Sequence, residues 1–202
     1  DGSSLWVTTR NPNPGNNAFV SGVAVDASGV YVGGYYYDGT NDIWRVEKLA
    51  LGDGSSLWVR TSNPNPGNDA AVHAVAVDGS GVYVGGFYSD GTNAVWRVEK
   101  LALGDGSSLW VTTRNPNPGN NAAVYAVAVD GSGVYVGGDY YDGTNYVWRV
   151  EKLALGDGSS LWVTTRNPNP GHDTYVNAVA VDGSGVYVGG DYYDGTNYVW
   201  RV

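Results

Sequence analysis

The sequence repeats itself every 52 residues. The hexapeptide from Asp1 to Trp6 returns three times, at 53–58, 105–110 and 157–162. The four copies are 1–52, 53–104, 105–156 and 157–202, and the fourth lacks a counterpart of 47–52. A fixed period of this size is typical of stacked or circular arrays of one supersecondary unit. Since a single-sheet unit cannot bury both of its faces alone, we expect 1–202 to form one domain.

Each copy contains four stretches that favour β-strands. They are rich in β-branched and aromatic residues, and in the first copy they are 5–9, 20–25, 30–37 and 43–51. Stretches rich in Pro, Gly, Asn and Asp separate them, at 11–15, 26–29, 38–41 and 52–55. Four short antiparallel strands in every repeat are the pattern of a propeller blade. The predicted fold class is all-β, a β-propeller of four blades with four antiparallel strands each.

The distribution of residue types places the strands within a blade. The stretch 20–25 combines valine with small residues, which suits a crowded innermost strand. The tryptophans fall on the outer candidates, represented by Trp6 and Trp44, where blades diverge and wide side chains are needed. We therefore expect all eight Trp to pack between blades.

With 20–25 innermost, the blades are offset from the sequence repeats. They comprise about 18–62, 70–114, 122–166 and 174–202, the last completed by residues 1–10. Pairing 1–10 onto 198–202 would close a four-bladed ring and cover two exposed strand edges. We expect a monomer closed in this way. A two-chain ring of eight blades, or an open head-to-tail chain, is the alternative.

Three segments of the third repeat resemble a known family. They are Val134–Gly138, Trp148–Leu155 and Gly158–Trp162. In this order they resemble the repeat of quinoprotein-type (PQQ-like) propellers. The segment Val23–Val32 is also similar to NHL and related bacterial propeller repeats. The resemblance covers the whole chain and implies a propeller fold in a prokaryotic protein, but it implies no activity, because these are packing motifs.

Composition and charge restrict the classes of partner that the chain can bind. The net charge of −9 comes from Asp residues in every repeat, and an evenly acidic surface repels phosphate backbones, so we expect no nucleic-acid partner. No apolar run approaches the length of a membrane span, so we expect no membrane insertion. The chain has no Cys and no Met, so thiolate sites are excluded and Asp1 is not a translation start. We expect the natural product to be longer, processed or excerpted.

Differences between the copies locate a candidate binding face. Thirteen repeat positions vary, and nine of them fall in two windows, 16–22 and 35–42. In a blade, these windows belong to the outer-to-inner connection and to the connection between the second and third strands. Both connections lie on one face of the disc. Either exposed loops drift freely there, or the face binds a ligand and its variation sets specificity.

The candidate ligand-binding residues come from this face. One variable position near the start of the innermost strand gives four residues that would surround the mouth of a closed ring: Ser21, His73, Tyr125 and Asn177. The other candidates are Tyr37, Tyr141, Tyr193, Asp139, Asp191 and His172. Tyrosines beside carboxylates and amides suit sugar or peptide surfaces, since the ring supplies contact area and the polar groups set orientation.

Catalytic and metal sites have weaker support. No Ser–His–Asp arrangement recurs, so we expect no catalytic residues. We also expect no cofactor. The one alternative is a Ca²⁺ site at Asp139, Asp142 and Asn145, although this spacing is not that of an EF-hand loop, and Asp142 before Gly143 favours a tight turn.

These observations favour a non-enzymatic recognition or scaffold module that binds a glycan or protein segment on the face formed by the 10–22 and 35–42 loops. The alternative is a structural segment of a cell-surface or filament protein that associates with itself. A hydrolase or dehydrogenase is the third possibility. We expect an extracellular or cell-surface location in a prokaryote. The near-identity of the copies indicates recent duplication or engineering.

Overall fold

A computed structural model describes residues 2–202 and consists of four antiparallel sheets. Blade 1 contains β1 (Ala18–Asp26), β2 (Gly29–Tyr37), β3 (Asp42–Leu49) and β4 (Ser56–Ser62). Blade 2 contains β5 (Ala70–Asp78), β6 (Gly81–Ser89), β7 (Ala94–Leu101) and β8 (Ser108–Arg114). Blade 3 contains β9 (Ala122–Asp130), β10 (Gly133–Tyr141), β11 (Tyr146–Leu153) and β12 (Ser160–Arg166). Blade 4 contains β13 (Thr174–Asp182), β14 (Gly185–Tyr193) and β15 (Tyr198–Arg201).

Within each blade the strands pair in sequence order, and the first strands of neighbouring blades contact one another. The stretch rich in valine and small residues is therefore the innermost strand. The all-β propeller architecture with blades of antiparallel strands is confirmed. The described residues contain no helix that is long and apolar enough to span a bilayer.

The core lies between the blades. Between blades 1 and 2, Tyr31, Trp44 and Val46 from one sheet pack against Val72 and Val84 from the next. The equivalent residues of blades 2 and 3 form a second cluster of the same kind. Five of the eight Trp are buried in this way: Trp44, Trp58, Trp96, Trp110 and Trp148. Trp200 is exposed because no further blade covers the outward face of blade 4. Trp162 in β12 is 39% exposed because blade 4 has no counterpart of Leu103 and Leu155, whose carbonyls accept from the equivalent Trp58 and Trp110.

A pair of glycines in the second strand of each blade allows this close packing. A methyl group built on Gly85 would lie 2.5 Å from Val124 Cγ1 of the next blade. One built on Gly86 would overlap the carbonyl oxygen of Ala71 and approach the Trp44 ring to 3.1 Å. The Gly-Gly step thus brings two sheets and a cross-strand backbone together at distances that no side chain permits.

Substitution at this step is expected to destabilise the fold. Gly86→Ala should lower the free energy of unfolding by about 2 kcal/mol, because Ala71 and Trp44 must move to admit the methyl group. The matched control is Gly79→Ala, where nothing lies within 4 Å and where the first repeat already has Ala27. Chemical denaturation of the two variants measures the difference. Equal stabilities would contradict the packing role of Gly86.

The predicted closure by the chain's own N-terminal strand is wrong. Asp1 lies outside the described residues, and residues 2–10 form no strand with β15, which pairs with β14. Instead, Trp6 Nε1 donates to the carbonyl of Leu51 at 2.8 Å, and Arg10 forms an ion pair with Glu47 at 3.3 Å. These interactions hold the N-terminal segment against blade 1, on the side away from blade 2.

Candidate functional site

The two predicted loop windows lie on the same face of the array. In blade 2, the backbone N–H of Ser89 donates to the carbonyl of Asp69 at 2.7 Å, and Asn65 Nδ2 donates to the carbonyl of Ser89 at 3.1 Å. Asn63 Nδ2 donates to the carbonyl of Asn68 within the Pro-rich loop at 3.0 Å. The Pro-rich connection is thus an ordered loop that packs on the hairpin between the second and third strands. We call this side the loop face.

The opposite face hardly varies between the copies, for a structural reason. In blade 2, Asp78 Oδ1 accepts from the backbone N–H of Ser80 at 2.8 Å, and the Tyr83 hydroxyl contacts Ser80 Oγ at 2.8 Å. Lys100 Nζ donates to Ser80 Oγ at 3.1 Å and to the carbonyl of Leu155 in the next blade at 3.0 Å. Lys100 of β7 thus links this turn to the next blade, so packing alone accounts for the constancy of these residues. The contrast between the two faces is therefore no evidence of binding by itself.

One variable position of the loop face also has a structural role. Asp69 Oδ1 accepts from the backbone N–H of Asp42 in the preceding blade at 2.9 Å. Asn121 Oδ1 accepts from Ala94 in the same way at 2.9 Å, and Asp173 Oδ1 accepts from Tyr146 at 2.8 Å. Any Asn or Asp satisfies this contact, which explains why only these two residue types occur there.

The four residues predicted at the ring mouth coincide with a β-bulge in every innermost strand. We call them the row of bulged residues: Ser21, His73, Tyr125 and Asn177. The register with the second strand shifts between Val20 and Gly22, and the same shift occurs in all four blades. The residue without a direct partner at each shift is Ser21, His73, Tyr125 or Asn177. Bulges re-aim side chains and are frequent beside binding sites. Repeat position 21 is therefore both the bulged position and a variable one.

In three blades the bulged residue interacts with the residue at repeat position 35, which is also variable. In blade 2 the rings of His73 and Phe87 are 5.5 Å apart. In blade 4, Asn177 Nδ2 donates to Asp191 Oδ1 at 2.7 Å. In blade 3, Tyr125 lies close enough to Asp139 for the carboxyl to raise its pKa, in addition to the larger effect of burial. Two variable positions are thus joined in space although they are 14 residues apart in the sequence.

The middle of the row is aromatic. The His73 and Tyr125 rings are stacked at 5.0 Å with an interplanar angle of 6°. His73 Nδ1 contacts the carbonyl of Val124 at 2.8 Å, and burial lowers the pKa of His73. The imidazole is therefore neutral at pH 7, and the contacts described for it are two rings and a carbonyl. This surrounding suits a packing surface and does not supply the carboxylate that orients a catalytic histidine.

The end of the row near blades 3 and 4 is acidic. Asp139 is only 1% exposed, and its Oδ2 has no hydrogen-bond partner among the described residues. Burial, and then the nearby carboxylates of Asp173 and Asp191, raise the pKa of Asp139 to about 8. Asp139 is thus mostly protonated at pH 7. Its carboxyl group can then donate a hydrogen bond, while Asp191 beside it accepts one.

A cluster of tyrosines borders this acidic end. Tyr146 lies 5.3 Å from Tyr141 and 5.5 Å from Tyr175, and Tyr193 lies 5.3 Å from Tyr198, all between ring centroids. The cluster includes the predicted Tyr141 and Tyr193, and His172 packs on Tyr193 at 5.3 Å. Sequence reasoning missed Tyr146, Tyr175 and Tyr198. Their signal was that repeat positions 19 and 42 become tyrosine only in the later copies.

Two expectations are changed by the geometry. The bulged residues form an open row across four inner strands, because the four blades do not close into a ring around them. Tyr37 is 37% exposed and lies in blade 1, away from the tyrosine cluster of blades 3 and 4. The predicted site is thus a line with an aromatic middle and an acidic end.

The alternative Ca²⁺ site is not assembled. Asp142 Oδ1 accepts from the backbone N–H groups of Thr144 and Asn145, at 2.8 and 2.9 Å. This carboxylate therefore closes its own turn, whereas Asp139 lies on β10 and faces Tyr125. Within residues 2–202, no three His, Cys, Asp or Glu side chains are grouped so as to hold a metal ion.

Comparison with known proteins supports the fold. No family model and no curated protein matches the sequence. Among solved structures, the chain is similar to BamB from Moraxella catarrhalis, with a TM-score of 0.57 and 18% identity over 88% of this chain and 50% of BamB. It is similar to the computationally designed Ika4 protein, with a TM-score of 0.56 and 20% identity over 100% of this chain and 98% of Ika4.

A third similar structure is the quinohemoprotein alcohol dehydrogenase from Comamonas testosteroni, with a TM-score of 0.54 and 15% identity. The match covers 84% of this chain and 31% of the dehydrogenase, so the chain spans about half of BamB and a third of the enzyme. At these identities the likeness shows the fold alone. The resemblance to PQQ-like propellers is confirmed at the level of the fold, and the chain has a β-propeller architecture.

Proposed function

We propose that this chain is a non-enzymatic recognition module that binds a glycan along the row of bulged residues on the loop face. The observation that carries the proposal is the coincidence of variation with the bulge. Ser21, His73, Tyr125 and Asn177 differ in every copy, yet each occupies the same re-aimed backbone position. A constant scaffold that presents a different side chain from each blade is the arrangement a binding surface needs.

The chemistry of the row favours a neutral glycan. Sugar rings present C–H faces, which pack on aromatic rings, and hydroxyl groups, which both donate and accept hydrogen bonds. Tyr125, itself 39% exposed, lies beside the stacked His73 ring. At the acidic end, Asn177 is exposed and its side-chain amide can donate and accept, and the half-buried Asp191 beside it accepts, so this end offers both partners that a hydroxyl group uses.

A second candidate ligand is an extended protein segment with a basic side chain. Asp139, Asp173 and Asp191 place three carboxyl groups near one another, and the chain carries a net charge of −9. A Lys or Arg side chain would shift Asp139 towards its ionised form and would be attracted by the acidic surface. On this reading we also propose an extracellular or cell-surface location, where both kinds of ligand are available.

The test is a screen followed by a matched pair of variants. The 202-residue chain is applied to an array of neutral and charged glycans and to a basic-peptide library. Tyr125→Ala should weaken binding of the selected glycan about two- to tenfold, because one stacking contact contributes about 0.5–1.5 kcal/mol and each 1.4 kcal/mol is tenfold. The control is Leu109→Ala on the outer strand β8, where the side chain is exposed and far from the row.

The outcomes separate the readings. Retention of a glycan with loss of binding only in Tyr125→Ala supports the proposal. Retention of basic peptides without glycans supports the second candidate. Glycan binding that is unchanged in Tyr125→Ala, or an array without any retained ligand, contradicts the proposal.

A further inference from the structure

The two ends of the four-blade array expose faces that are buried everywhere else. At blade 4, Trp200 is 84% exposed, whereas the equivalent Trp96 of blade 2 is 0% exposed. At blade 1, Val23 is 61% exposed, whereas the equivalent Val75 is 9% exposed. Tyr187 and Val20 show the same contrast with Tyr83 and Val72. Each end is therefore one half of the interface that the blades form with one another inside the chain.

The two exposed halves are complementary because the chain already contains their complex three times. Between blades 2 and 3, the glycine of the second strand receives valines of the next blade, with Val124 Cγ1 and Val127 Cγ2 at 2.5 and 2.6 Å from a methyl group built on Gly85. At the equivalent Gly189 of blade 4 the nearest such atom is Ala178 Cβ of its own blade, at 3.9 Å. The slot that receives Val72 and Val124 elsewhere is open at blade 4.

The N-terminal segment already lies where the outer strand of a preceding blade would lie. Trp6 Nε1 donates to the carbonyl of Leu51 at 2.8 Å, as Trp58 does to Leu103 at 3.1 Å. Arg10 Nε pairs with Glu47 at 3.3 Å, as Arg114 Nε in β8 pairs with Glu151 at 3.2 Å. The outer strand of a missing blade is therefore in place, but without the three inner strands of that blade.

An apolar cavity of about 370 Å³ marks the place of the missing strands. It lies between Trp6 and Arg10 on one side and Val20, Val23 and Val32 on the other. Blade 4 consists of three strands, and the free edge of β15 is the edge that an outer strand covers in the other blades. At blade 1, the N-terminal segment is in the place of the outer strand of a preceding blade, and the three inner strands of that blade are absent. At blade 4, the three inner strands are present and the outer strand is absent.

We propose that a second copy of this chain fills both gaps and that two copies form one ring of eight blades. Blade 4 of each copy packs on β1 of the other, and residues 8–10 of each copy add the fourth strand to blade 4 of the other. Propellers have about four to eight blades. Since four blades leave both ends uncovered, two copies are the number that closes a ring within this range. A twofold axis forms both junctions at once.

The register of the new strand pair follows from the blades within the chain. Trp44 pairs with Ser62, and Val46 pairs with Arg60. By the same register, Trp200 pairs with Arg10 of the partner subunit, and Val202 pairs with Thr8 of the partner subunit. The proposed ring also joins the two rows of bulged residues into one circle, in which Asn177 is followed by Ser21 of the partner subunit.

The first test is the native mass of the 202-residue chain by light scattering after size exclusion, over a hundredfold range of concentration. We expect one species of about twice the chain mass of 21.3 kDa. Val23→Glu should reduce it to the mass of one chain, since a carboxylate cannot be buried in this apolar junction. Leu109→Glu, at an exposed position of the outer strand β8, should leave the dimer unchanged. Circular dichroism checks that both variants are folded.

The second test fixes the arrangement. The chain has no Cys, so the double variant Thr8→Cys with Val202→Cys has no background thiols. On oxidation we expect a covalent dimer on a denaturing gel. A cross-linked monomer would mean closure within one chain and would overturn the proposal. A single-chain mass at every concentration, a growing series of masses, or a dimer that survives Val23→Glu would also overturn it.

Discussion

Replacing Glu99 with alanine is expected to lower the free energy of unfolding by about 3–5 kcal/mol. Glu99 is fully buried and accepts hydrogen bonds from Arg97 Nη2 at 2.8 Å and from Arg60 Nη2 at 2.9 Å. Arg60 belongs to the outer strand β4 of blade 1, so the carboxylate connects two blades. Its removal leaves two guanidinium groups without their counter-charge, and the Nε atoms of both already have no hydrogen-bond partner within residues 2–202.

The second repeat offers a matched control for this prediction. It has Arg60 and Ser62, whereas the first and third repeats have threonine and arginine at these two positions. In the third repeat the ion pair with Glu151 is formed by Arg114, which is equivalent to Ser62. Arg60→Thr alone should be destabilising. The double variant Arg60→Thr with Ser62→Arg should restore most of the loss, because the arginine returns to the position used elsewhere. Urea denaturation of the variants decides the matter. A loss of less than 1 kcal/mol in Glu99→Ala would contradict the role of the buried carboxylate.

Replacing Asp139 with asparagine is expected to stabilise the fold at pH 7 by on the order of 3 kcal/mol. The folded-state pKa of about 8 lies above the ordinary value of 3.8, through burial first and then through Asp173 and Asp191. Between these two values the unfolded chain releases the proton and the folded chain retains it. Stability therefore falls as the pH rises from about 4 to about 8, and the penalty is absent at more acidic pH.

The measurement is the free energy of unfolding of wild type and Asp139→Asn between pH 4 and pH 8. The difference should grow with pH and level off above pH 8. Asp90→Asn is the control, since the backbone N–H groups of Asn93 and Thr92 lower the pKa of Asp90, and its removal should not stabilise at any pH. A stabilisation by Asp139→Asn that does not vary with pH would contradict the raised pKa of the Asp139 carboxyl group.

Much of the fold follows from the repeat. The 52-residue period, the breakers between strands and the placement of small residues at 20–25 were sufficient for the four-strand blade and for the innermost strand. These signals are local, since strand propensity and turn residues act within a few positions. The burial of Trp44 and Trp96 also follows from the repeat, because the next blade covers each of these side chains.

Ring closure was not predicted correctly, for a physical reason. Residues 5–10 have the sequence of an outer strand, nearly the same as 57–62 and 109–114. This sequence suits them equally to complete blade 4 and to lie beside blade 1. What decides between the places is the angle between neighbouring blades, which depends on how valines fit against Gly33 and Gly85 and is not encoded in any local pattern. The bulge was also invisible in the sequence, although variation at positions 21 and 35 marked the residues it joins.

The most direct test of the binding surface is a crystal structure of the chain with the glycan that the array selects. The proposal predicts ligand density along the row of bulged residues, in contact with the Tyr125 ring and within hydrogen-bond distance of Asn177 or Asp191. Density on the constant face, where Asp78 and Lys100 connect the blades, or on the outer strands would contradict it.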